Sequence, residues 1–366
     1  MQTINISALD TLFFRGGKPF TMGQETTGSG LFPPSPSVIY GALRTAYFAE
    51  NQMDFKQFQM NTKDATEHLT VRHIAYLKRA KRTNKLYFPA PLDLVTEDKK
   101  AKDKKAFLLQ SEDFKKDEVS NSKTPQILRI GTNKPKVEDL LDAFISEDTL
   151  EEYLNSPNNK DFLFENLEDF ITVEPKVGVG LNRKTRTAEE GQLYFIGMTR
   201  PRNKENIIFD INITFSDLKL PDNGVLRMGG EGKSAMYQVT TPIQQLQPDF
   251  EGATFKLYLS TPTLFKEGWL PKWIDKNTFT GTFPNTNTKV KLTTCAIGKP
   301  VSIGGFDVKK QQPKPMLRAV PAGSVYYFEI ENGNIKDIID ALKKSPSICE
   351  YRAKEGFGLA FIGKIK

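Results

Sequence analysis

ITVEPKVGVGLNRKTRTAEEGQLYFIGMTRPR, Ile171 to Arg202, followed by IIFDINITF, Ile207 to Phe215, is the most regular part of the chain. Ile171, Val173, Val177, Val179 and Leu181 alternate, and Ile207, Phe209, Ile211, Ile213 and Phe215 alternate again, the period-2 signature of strands that bury one face. Two long strands therefore bracket the tip NRKTRTAEEG and form a hairpin. Upstream, Ile4, Ile6, Ala8, Leu12 and Phe14 fall at even positions of a first strand, with Asp10 in the same phase, and RGGKPF follows. A β-bulge at Asp10 and a solvated turn is the plain reading of that stretch.

Working outward, Ser35 as N-cap, Pro36 at the first helical position and the face Ile39, Leu43, Ala46 and Tyr47 predict a helix. TVRHIAYL and KLYFPAPLDLV read as strands on either side of the basic run KRAKRTNK. Residues 97–123 are charge-rich and aperiodic, which predicts a mobile insertion. In 137–170, a second insertion, Val137, Leu140, Leu141, Phe144 and Ile145 have helical spacing, continued by Leu150, Tyr153 and Leu154. Beyond, TFKLYLSTPTLF, SVYYFEI and FGLAFIGKIK read as strands and IKDIIDALKK as a helix. Each half can supply a β-α-β-β-α-β set, so the expected class is α+β: two ferredoxin-like domains, 1–245 and 246–366, the first carrying the insertions and the hairpin at 171–200.

A length of 366 residues suits two cores, and 38% hydrophobic content can fill them. No apolar run spans a bilayer and MQTINISALD has no apolar signal core, so the expected location is the cytoplasm, with no membrane partner. Two cysteines without C-x-x-C spacing and two histidines without H-E-x-x-H spacing predict no metal and no disulfide framework. Between Glu138 and Asp169 eleven acids face the single Lys160, a balance of −10, which leaves +17 on the rest of a chain whose net charge is +7. Such a surplus suits a polyanionic partner, although solubility alone also accounts for the net value. The acidic face reads as solvent-exposed or as a surface for a basic protein.

GGEGKSA lacks the first glycine of a P-loop, since Arg227 stands there, and GVGLNR and GFGLAF lack the third glycine of a dinucleotide fingerprint, so no cofactor is expected. Four glycine clusters nevertheless sit at strand ends beside basic or aromatic residues. They are RGGKPF with Arg15 and Lys18, GGEGKS with Gly229, Gly230, Gly232 and Lys233, GKPVSIGG with Lys299, and EGFGLAF with Gly356, Phe357 and Gly358. Such loops let backbone approach a bulky anion closely, and four of them in a basic chain predict a phosphate track. At the hairpin tip Arg183, Lys184 and Arg186 offer cations and Tyr194 an aromatic face for an unstacked base, with Glu189 and Glu190 in partial opposition.

DTLFFRGGKPF, PPSPSVIYGALR, RKTRTAEEGQLY, LRMGGEG, GKPVSIGGFDVKKQQPKPMLRAVPAGSVYYFE and GFGLAFIG occur in an order and spacing that resemble the RAMP subunits of type III-B CRISPR (Cmr) effector complexes. Among these the chain is similar to the one that holds the 5′ handle of the guide RNA. The resemblance implies two ferredoxin-like domains, a β-hairpin thumb against the guide and glycine-rich loops on the RNA face. It also implies contacts to the large polymerase-like Cmr subunit and to the adjacent backbone RAMP subunit, and no catalysis. Two other readings stay open: a metal-independent endoribonuclease processing precursor guide RNA, with His73 for proton transfer, and the equivalent subunit of a type III-A complex.

Overall fold

The computed structural model describes the chain except for residues 17–26, 29, 81–82, 116–117, 119–122, 131–135, 156–160, 183, 203–207, 243–245, 247, 308–310 and 366. The fold is mixed α+β with several antiparallel sheets. In the largest, the eight strands run in the order Glu165–Asn166, Ala143–Ser146, Asn84–Pro89, Thr70–Arg79, Ile208–Ser216, Gln2–Ala8, Ser234–Thr240 and Asn223–Arg227. Ile207 lies outside the described residues, and from Phe209 to Phe215 the alternation is realised: Ile4 and Ile6 stand beside Ile211 and Ile213, and all four are buried under Ile39, Leu43 and Ala46 of the Pro36–Glu50 helix. That helix starts on Pro36, whose missing N–H costs nothing at a helix start.

The second sheet has five strands in the order Thr280–Thr282, Lys289–Ala296, Val325–Asn332, Thr254–Leu259 and Ala360–Lys364. The Ile335–Lys344 helix covers it with Ile335, Ile338, Ile339 and Leu342, and its start is fixed by the Asn334 side chain, which accepts from Lys336 N at 2.8 Å. A third core joins the two sheets. In it Phe88, Leu94 and Tyr153 meet Tyr258, Tyr327 and Phe361, and Tyr258 donates to the Pro89 carbonyl at 2.5 Å. Lys256 is buried there with its ammonium 3.3 Å from the centre of the Tyr153 ring, and burial pushes its pKa down to about 8 against the opposing pull of the Asp93 charge.

Several expectations are corrected. The first strand ends at Ala8, so Asp10 is not in its buried phase; it is exposed and unbulged. Residues 97–123 contribute strands at Lys105–Leu108 and Gln110–Asp113, anchored by the buried Ala106, so the described part of this insertion is ordered structure. Residues 138–146 are not helical: Ala143–Ser146 joins the large sheet, and the helix begins only at Glu147, running to Asn155. Phe144 and Ile145 are adjacent in sequence and both buried, as in a strand covered on two faces, a pattern that periodicity does not separate from a helix.

Five of the eleven acids in the acidic stretch pair with lysines of the same chain. Glu165 pairs with Lys78 at 2.6 Å, Asp148 with Lys85 at 2.7 Å, Asp139 with Lys99 at 3.0 Å, Asp169 with Lys104 at 2.5 Å and Asp161 with Lys105 at 3.2 Å. These carboxylates thus face the lysines of the basic run and of the other insertion. Among the described residues no helix is long and apolar enough to cross a membrane.

Candidate nucleic-acid interface

The long hairpin pairs Ile171–Leu181 with Ala188–Pro201, from Ile171 opposite Pro201 to Leu181 opposite Ala188. Its alternation does not bury the face that the sequence suggested. Val173 and Val177 are 63% and 56% exposed, while the opposite face, carrying Tyr194, Ile196 and Met198, rests on Phe13. Phe13 belongs to the segment that leaves the first strand. This segment bonds to the hairpin edge through Leu12 and Thr199, whose N–H groups donate to each other's carbonyls at 2.7 Å in both directions.

The glycine loop 229–232 closes the other side of that segment. Gly230 N donates to Phe13 O at 2.8 Å, and Gly229, at φ +82°, runs so close that a Cβ there would lie 2.3 Å from the same carbonyl. Asp10 then ties the parts together. Lys233 Nζ stands 2.9 Å from one of its oxygens and Arg200 3.1 Å from the other, and Arg200 also grips Glu174 across the hairpin. The Lys233 hydrogen bond, joined by the Thr11 N–H, holds the Asp10 carboxyl down to about 2. Asp10 therefore answers to two cations as well as to a backbone N–H. Lys176 pairs with Glu231 at 2.9 Å, a second link between hairpin and loop.

Thus Arg15, Tyr194, Gly229, Gly230, Gly232 and Lys233 lie on three segments brought to one place. Arg15 is exposed and bridges to Gly30. The ring of Tyr194 lies across Gly178 on the paired strand, where any side chain would collide with it. At the tip, Asn182 accepts from Lys184 N at 2.9 Å and Thr185 N at 3.2 Å, and Arg186 closes the turn at φ +58°. Lys184 and Arg186 are exposed. Lys18 and Arg183 lie outside the described residues.

Gly356, Phe357 and Gly358 lie elsewhere and serve the interior. Phe357 is wholly buried beside Leu264, Ile303 and Ala319, so its ring does not face a ligand, which corrects its assignment as an RNA-binding residue. Gly356 faces Val71 and Ile74, and Gly358, at φ +67°, faces Cys349, where a Cβ would lie 2.7 Å from that residue's own. Lys299 is exposed, and the adjacent Gly298 lies against Pro321, Leu92 and Leu141, none of them in the hairpin or the loop 229–232. Sequence reasoning missed Phe13, Lys176, Asn182 and Arg200, of which only Asn182 carried a local signal, an Asx turn ahead of the tip.

His73 does not fit a proton-transfer role. Its ring meets Phe88 and Phe361 edge-on, with centroids 5.5 and 6.4 Å away, and its Nε2 is sealed from solvent with no hydrogen-bond partner among the described residues. Burial lowers its pKa to about 4, well below the range useful for acid–base exchange at neutral pH.

A family model for CRISPR-associated protein (Cas_Cmr3) matches residues 4–365. No curated protein matches the chain by sequence. Among solved structures, a chain of a type III-B Cmr-beta complex bound to cognate target RNA, determined by cryo-EM, shares 18% identity over 93% of this chain and 89% of its own, with a TM-score of 0.50. A second such complex, bound to target RNA and AMPPnP, gives 16% identity, 93% and 88% coverage and a TM-score of 0.48. The match of almost the whole chain to a type III-B family removes the type III-A reading and, with the sealed His73, the endoribonuclease reading: the chain belongs to the Cmr3 family, the non-catalytic, RNA-binding RAMP subunits of type III-B CRISPR effector complexes.

Proposed function

We propose that the chain clamps the 5′ handle of the guide RNA and bridges the large polymerase-like subunit to the adjacent backbone RAMP subunit, using two ferredoxin-like domains, 1–245 and 246–366. The hairpin is the thumb, and Arg183, Lys184 and Arg186 at its tip meet guide phosphates. Arg15, Lys18 and the loop Gly229–Lys233 line the path at the hairpin's base.

One observation supports this reading most: hairpin, glycine loop and post-strand segment converge on Phe13 and are cross-tied by Asp10, Lys233 and Arg200. A rigid base of this kind lets a protruding ribbon hold a fixed angle to a bound strand. Lys233 and Arg200 are already paired with carboxylates, so they position the site, whereas Lys184 and Arg186 are exposed at the tip and can neutralise phosphate. The test is to isolate complexes through a tag on this chain, extract the RNA and sequence its 5′ ends. A short constant 5′ sequence is expected; RNAs with heterogeneous 5′ ends would sink the reading.

A further inference from the structure

A groove of about 840 Å³ lies outside the hairpin-and-loop interface, between the strand Gln126–Arg129 and the second sheet. Its walls are apolar, with Ile127 and Leu128 on one side and Ile297 and Val320 on the other, and Trp269 borders it with its indole 39% exposed. Among the described residues the charged lining residues are Lys123 and Arg318, and no carboxylate lines it. Arg318 is exposed and makes no ion pair with any described residue. The Trp269 backbone is fixed, because Tyr326 donates to its carbonyl at 2.6 Å and the adjacent Gly268 turns at φ +86°. Gly298 and Pro300 also line the groove, which places Lys299, the predicted cation left out of the hairpin-and-loop cluster, at its edge.

A groove with apolar walls, bordered by a half-exposed tryptophan on a fixed backbone and with cations at its rim, matches one ligand chemistry: a nucleobase lying against the indole with its phosphate toward the guanidinium and ammonium groups. We propose that this groove binds a single nucleobase together with its neighbouring phosphate, supplied either by one everted nucleotide of a bound RNA or by a free nucleotide. The absence of acid from the lining disfavours a basic peptide, and an acidic peptide with an aromatic anchor is the competing occupant. The inference takes the source of the base from the RNA-binding reading, but the groove shares no residue with the hairpin or the glycine loop.

Trp273 is the other tryptophan of the chain and stacks within the core on Phe328, so Trp273→Phe leaves Trp269 as the sole emitter. The full-length Trp273→Phe protein is titrated with AMP and, separately, with a single-stranded RNA decamer, following Trp269 emission, with RNA binding also followed by a label on the oligomer. Saturable quenching by either probe, weakened at least tenfold by Arg318→Ala, is the expected result. Quenching by AMP assigns a free-nucleotide site, and quenching by the decamer alone assigns an everted base. Binding of the labelled decamer with unchanged Trp269 emission, together with no quenching by AMP, overturns the groove proposal while leaving the hairpin reading intact. Failure of the labelled decamer to bind at all counts against the hairpin reading, and the groove then stands or falls on AMP quenching. Quenching by an acidic Phe-containing peptide, with none by AMP or RNA, overturns the proposal in favour of a protein partner. The far-UV circular dichroism and melting temperature of Arg318→Ala, an exposed position, are expected to match the parent, so that weakened quenching reports on the groove.

Discussion

Gly358 and Gly229 look alike in sequence, yet they answer to different neighbours. Gly358 sits at φ +67° against Cys349, an interior contact, and Gly229 at φ +82° against the Phe13 carbonyl at the base of the hairpin. Positive φ alone penalises a side chain by about 1 kcal/mol or somewhat more. Gly358→Ala should therefore lower the melting temperature while each folded molecule binds RNA as before, and a variant with native stability and weak binding would place Gly358 on the RNA path after all. A glycine in the sequence announces close approach, but not whether ligand or protein does the approaching. His73 offers a pH test. Its folded pKa of about 4 lies below the ordinary histidine value of 6.5, so the unfolded chain binds the extra proton between those values. The stability it supports is full above about 6.5 and drains as pH falls toward 4. Urea midpoints of wild type and His73→Phe should diverge in favour of the variant on going from neutral to acidic buffer across that window; a constant gap would mean the imidazole is solvated.

At the scale of elements, the helix Ile335–Lys344 and the strands Ile208–Ser216 and Gln2–Ala8 were legible because each puts apolar residues on one face and polar residues on the other, the polar face of Ile208–Ser216 being covered too at Asp210 and Asn212, so the period stays written in the sequence. Ala143–Ser146 was not, since both of its faces are covered and the period vanishes. The hairpin was legible as a pair of strands but not in its orientation. Val173 and Val177 alternate as core residues would and yet face outward, because the ribbon needs only its Tyr194, Ile196 and Met198 side to seat on Phe13. The Asp10, Lys233 and Arg200 cluster draws on positions as far apart as 10 and 233, which no local spacing reveals. The hairpin also carries a quantitative expectation. Lys184→Ala with Arg186→Ala should lower the slope of log K against log salt for a single-stranded guide by roughly 0.7 for each phosphate that the tip no longer neutralises. An unchanged slope would take the tip off the RNA.

Over the whole molecule, charge is arranged so that five of the acidic segment's eleven carboxylates pair with lysines of the same chain, at positions 78, 85, 99, 104 and 105. Exposed pairs of this kind add little stability, but they remove those lysines from the positive surface. Lys184 and Arg186 at the hairpin tip, Arg15, and Lys123, Lys299 and Arg318 at the groove rim are exposed cations outside those pairs. The two sheets are held to each other by the shared core around Tyr153, Tyr258 and Phe361. The central claim, that this body grips the constant end of the guide, is tested most directly by photocrosslinking. Complexes assembled with 4-thiouridine-substituted guides would be irradiated, digested, and the peptides of this chain mapped to guide position. The account predicts crosslinks from peptides containing residues 184–201 and 226–233 to the first nucleotides of the 5′ handle. Crosslinks from those peptides to the spacer or the 3′ end, with none to the handle, would contradict it.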